Sequence, residues 1–104
     1  MAKYQATRLE NVNSIEDLRE VPKLAITHGV DVQHDNDARA SFGAAALVAY
    51  AERAGGGKSN EFEAQLSDLL ADLRHVCDAL GLDYDAADTT AHVNHWREIH
   101  GEAL

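Results

Sequence analysis

The residues best equipped for chemistry lie in the second half of the chain. Asp68, Asp72 and His75 follow one another at spacings of four and three, which sets two carboxylates and an imidazole along one flank of a helix. Further on, His92 and His95 are three apart and Trp96 follows them. Carboxylates and imidazoles on facing helices can build a metal site in a helical bundle. The helical wheel separates the two sets, however. His75 sits roughly opposite the leucine-rich side of its helix, whereas His92 falls on the apolar line of its own, so helices packed through their apolar faces point the two sets apart. No metal and no cofactor is therefore assigned.

Covalent chemistry has less support. Cys77, the only cysteine, falls on an apolar stripe, where a thiol is an inert small hydrophobe. The serines stand in no glycine elbow, and "GGGKS" at 55–59 lacks the spacing and the preceding strand of a phosphate loop. No catalytic residue is assigned either. What remains is binding. His92, His95 and Trp96 combine two groups that titrate near neutral pH with a side chain enriched among binding hot spots. Glu61, Asp68 and Asp72 form a row of carboxylates, with His75 beside them, that could occupy a groove shaped for phosphates. These seven residues are the candidate partner-binding set.

The elements that must position them are helical. Phe62, Leu66, Leu69, Leu70, Leu73, Val76, Cys77 and Leu80 fall within a stripe about 120° wide at 100° per residue, so a helix is expected over 60–80 with this stripe as its core face. Asn60 can cap it and Gly81 can end it, with Leu82 folding back. A further helix over 84–100 follows, capped by Asp83 or Asp85, with His92, Trp96 and Ile99 in line to face the core or a partner. Upstream, "DARASFGAAALVAYAERA" predicts a helix over 37–54, apolar nearly all round, and the glycines of 55–58 read as a linker.

Residues 1–36 are expected to be irregular apart from a short helix before Pro22, with Asn13 and Glu16 as its capping pair. His28-Gly29 is either the turn of a short β-hairpin or the end of a helical turn. "HGVDV" at 28–32 also shares its pattern with "LGLDY" at 80–84. The fold class is thus all-α, one small domain of three or four helices.

The 104 residues suffice for one domain, and eighteen of the apolar ones are alanine, so the core is thin and a homodimer is an expected outcome. The formal charge is −9, of which residues 58–104 hold −7, with ten acids against three bases. That balance excludes direct binding to nucleic-acid phosphates and favours a partner with a basic surface. No apolar run approaches membrane-spanning length, and a lone cysteine fits a reducing compartment, so a cytoplasmic location is expected.

From Glu61 onward the chain resembles a loose group of small uncharacterised proteins of phages, plasmids and their bacterial hosts. The likeness rests on "DLLADLRH" at 68–75, "GLDYD" at 81–85 and "HW" at 95–96, and covers about forty residues. It implies an accessory protein of a mobile genetic element, non-enzymatic, that inhibits a host defence or nucleic-acid-processing complex. The alternatives are a purely structural, oligomerising role and a metal-dependent enzyme similar to the helical MazG-like nucleotide pyrophosphatases. That family pairs glutamates three apart. Here Glu16 with Glu20, Glu61 with Glu63, and Asp68 with Asp72 stand at other spacings, which puts the activity in doubt.

Overall fold

The computed structural model describes residues 2–54 and 62–102, and among these it holds four helices: α1 (Ile15–Arg19), α2 (Val32–Arg53), α3 (Phe62–Leu80) and α4 (Tyr84–Ile99). The all-α expectation holds. The expected glycine linker, the Asn60 cap and Glu61 lie outside the described residues.

Local chemistry sets most of the helix ends. Ser14 caps α1, its Oγ accepting from Asp17 N at 3.0 Å, while the Asp17 carboxylate accepts from Asn13 N at 3.0 Å. The cap is thus Ser14, one residue past the expected Asn13, and the side chain that reaches back is Asp17, not Glu16, onto the Asn13 N–H. Asp83 caps α4 through Ala86 N. Gly81 ends α3 at φ 69°, and the Leu82 N–H reaches back to Cys77 O at 2.9 Å, the bond that closes a Schellman turn. Gly101 repeats the device after α4 at φ 74°, with Glu102 N donating to Arg97 O. A Cβ there would stand 2.5 Å from the Tyr4 ring, so glycine answers both the backbone and the packing.

Two expectations for the first half are corrected. α2 begins at Val32, not at 37, because Asp31 accepts from His34 N at 3.0 Å and starts the helix five residues earlier. Asp37, expected near the cap, instead accepts from the backbone and hydroxyl of Thr7. His28 and Gly29 do form a two-residue turn with positive φ at both, but no strand pairs across it among the described residues. It turns the chain straight into α2. The patterns at 28–32 and 80–84 therefore share their local physics: a glycine at positive φ, then one residue, then an aspartate that caps a helix.

α2 is the central helix. One side packs on α1, where Ile15 and Leu18 meet Val48 and Ala51, with Val12, Val21, Ala44, Leu47 and Phe62 around them. Another carries the N-terminal segment and the end of α4: Asn36 Nδ2 donates to Tyr4 O at 2.7 Å and to Glu98 O at 2.9 Å, and Tyr4 N donates to Ile99 O at 2.8 Å.

The second half barely joins this core. Only Gln65 is buried on α3, and no residue is buried on α4. The leucine stripe, expected to be core, is open: Leu70 is 39% exposed, Leu73 41%, Val76 49% and Leu80 66%, while Leu69 and Cys77 are half-buried. The physical reason is the arrangement of the helices. α3 joins α2 through Phe62 in its first turn and through Asp72, bonded to Tyr50, midway along, and it joins α4 near their shared turn, where Arg74 covers the Tyr84 ring and pairs with Asp85 at 3.2 Å. The radius of gyration is 14.9 Å, against about 13 Å for a compact domain of this size.

Candidate interaction surface

The acidic flank of α3 is partly committed to the fold. Tyr50, on α2, donates its hydroxyl to Asp72 at 2.6 Å and ties the two helices together. That hydrogen bond, then burial, then the charges of Asp72 and Asp68, push the Tyr50 hydroxyl up to about 12. Asp72 therefore has a structural duty that spacing alone does not reveal. Asp68 lies beside it and is exposed, as is His75.

His92, expected to face the core or a partner, does not face the core of this chain, since it and His95 are both exposed on α4. Trp96 is 48% exposed, so it does not anchor α4 to the core. Its ring stacks on that of His100 with centroids 4.1 Å apart, and His100 Nδ1 lies 2.6 Å from Trp96 O. The structure thus brings Asp68 and Asp72 together near Tyr50, and groups the two histidines with Trp96 on α4. Among the described residues no three His, Cys, Asp or Glu side chains converge as a metal would need.

No protein-family model, curated protein or solved structure matches this chain.

A cleft of about 370 Å³ opens between the 27–29 turn, the start of α2 and the end of α4. Its buried aspartate and its arginine are already engaged. Asp35, 3% exposed, accepts from Thr27 N at 2.5 Å, Thr27 Oγ1 at 2.7 Å and Gly29 N at 2.8 Å. Arg39 pairs with Glu98 at 2.9 Å and donates to Asn36 Oδ1 at 3.2 Å. Sequence reading missed Asp35, Asn36 and Arg39 because their partners are brought to them by the fold. The cleft is a latch that holds the turn and the end of α4 onto α2.

The latch makes the fold sensitive to acid. Burial pushes the Asp35 carboxyl up, but the N–H groups of Thr27 and Gly29, the Thr27 hydroxyl and the Arg39 charge outweigh it and bring it from 3.8 down to about 2. A carboxylate whose folded pKa is depressed adds stability that is present above pH 3.8 and is lost as the pH falls towards 2. Unfolding followed by circular dichroism should show that loss, with a shallower slope across the same window in Asp35→Asn. An identical slope in the two proteins would mean that Asp35 is not its source.

The remaining candidate is the apolar face itself. Leu66, Leu70, Leu73, Val76 and Leu80 on α3, Leu82 in the turn, and Val93 and Trp96 on α4 are all at least 39% exposed. Single exposed leucines are ordinary, but here a whole amphipathic face is left open. Around it, residues 62–102 carry nine acids against two arginines. No described helix is long and apolar enough to cross a membrane.

Proposed function

We propose that the chain is a non-catalytic interaction protein that docks through the apolar face of α3, with the acids of α3 and α4 forming a solvated rim. The observation that carries this reading is the exposure of the leucine stripe along a helix whose sequence is built to bury it. A helix with one apolar side gains most of its stability from covering that side. The acidic flank is the lesser candidate for the contact, since Asp72 is engaged with Tyr50. An apolar centre with a charged rim is the usual anatomy of a protein–protein contact, and the rim's sign opposes docking on nucleic-acid phosphates.

If the stripe serves a partner, shortening it should leave the single chain standing. Leu70→Ala and Leu73→Ala are each expected to change the unfolding free energy by less than about 1 kcal/mol at a dilution where the chain sediments as single copies. Urea denaturation at that dilution checks it. A loss of about 2–5 kcal/mol, the range for a buried leucine, would make the stripe core and remove the docking face.

A further inference from the structure

The spacing of the stripe says what covers it. Leu66, Leu70, Leu73, Cys77 and Leu80 follow at intervals of 4, 3, 4 and 3, a heptad seam that runs from Leu66 to the end of α3. A seam of this period packs against a helix with the same period, and an identical helix satisfies that condition without any other sequence. We propose that the occupant of this face is a second copy of the chain, α3 packing on its counterpart about a two-fold axis. The proposal rests on the docking reading above and names its partner.

Area and charge agree with it. Leu66, Leu70, Leu73, Val76, Leu80 and Leu82, between 39% and 66% exposed, leave open an apolar surface that helix pairing would cover. Their combined exposed surface is roughly 500 Å², and a standard interface buries about 800 Å² on each side with about three-fifths of it apolar, so the amount is what a stable dimer needs. The net charge of −9 on each copy would oppose pairing if the acids lined the seam. Only Glu63, at the exposed start of α3, shares the seam's period; Asp68, Asp72 and Asp78 occupy the heptad positions turned away from it, and Asp72 is held by Tyr50. Their mutual repulsion therefore acts across solvent, where salt screens it.

Sedimentation of the full chain under reducing conditions, from micromolar to millimolar concentration, tests the proposal. The mass should climb from 11.3 kDa towards twice that value, and added salt should leave the association unchanged or tighten it. The double variant Leu70→Lys/Leu73→Lys should weaken association at least about tenfold, the loss of one to two buried side chains' worth of contact, with its circular dichroism unchanged. Leu80→Lys, at a position 66% exposed, should do the same in part and serves if the double variant does not fold. Phe42→Lys, on an exposed stretch of α2, should leave the dimer intact.

A chain that stays at 11.3 kDa throughout overturns the inference, as does a dimer abolished by Phe42→Lys and untouched at Leu80. Association that weakens with salt also overturns it, since that sign belongs to pairing between opposite charges. In the first case, near-neutral Leu70→Ala and Leu73→Ala would still leave the face a docking site for a partner other than a second copy, such as the basic surface that the acidic rim suits. Destabilisation by those alanines would remove the docking reading itself.

Discussion

Replacing Asn36 by alanine is expected to lower stability by about 2–3 kcal/mol and to loosen α4 before the rest of the chain. Asn36 is 5% exposed and joins three parts of the molecule: its amide donates to Tyr4 O and Glu98 O, and its Oδ1 accepts from Arg39. Alanine keeps the helix, and gains a few tenths of a kcal/mol in propensity, but leaves a carbonyl of the N-terminal segment without its donor. Glu98 O keeps the Gly101 N–H at 3.2 Å, which holds the cost below that of losing every bond at once. The Arg39 guanidinium also loses the oxygen that aligns it with Glu98. Because no residue of α4 is buried, these polar bonds do for that helix what apolar packing does elsewhere. Hydrogen exchange should therefore rise first over 84–99 and only later over α1. A uniform rise across both helices, or an unchanged urea midpoint, would show that Asn36 is not the latch.

How much of this could be read from the sequence follows the range of each interaction. Asp83 and Gly81 were legible because a cap acts within three residues and a helix stop within five. The cap of α1 was off by one because Asn13 and Ser14 are both good N-caps, and only the fold shows which side chain reaches Asp17. The expected start of α2 falls five residues late because Asp37 reads as a cap, whereas the fold spends its oxygens on Thr7 and leaves the capping to Asp31. The stripe on α3 was located correctly and its burial was not. Periodicity states that a face is apolar, and is silent on whether the chain has anything left to cover it. Val12, Val21, Leu47 and Val48 are gathered around Ile15 and Leu18, while Leu9, Val30 and Phe42 lie exposed, so the first half does not cover the stripe of α3. Of the candidate site, the residues were legible and their roles were not: Asp72 belongs to the fold, while Trp96 and His92 face outwards.

The same substitution at two leucines separates the core from the docking face. Leu18→Ala is expected to cost about 2–4 kcal/mol, whereas Leu73→Ala should fall within about 1 kcal/mol in the single chain. Leu18 is 8% exposed and is one of four residues that make up the buried apolar cluster, with Ile15, Val48 and Ala51. Truncation there strips contacts from each of the others. A groove of about 320 Å³, lined by Leu18, Val21, Ala44 and Val48, runs beside it and is open to solvent, so water can occupy part of the space left behind. That places the cost towards the lower end of the range. Even so, it is a large fraction of the roughly 5–15 kcal/mol that holds a domain of this kind together. Leu73, 41% exposed, has few neighbours to lose until another chain covers it. Urea midpoints for the two variants, measured at the same low concentration, should therefore differ by more than the difference between leucine and alanine can explain. On raising the concentration, the Leu18 variant should keep its deficit while the Leu73 variant acquires one, because its missing methyl groups now belong to the contact between chains. Equal costs at low concentration would place both leucines in one core and leave α3 with no face to offer.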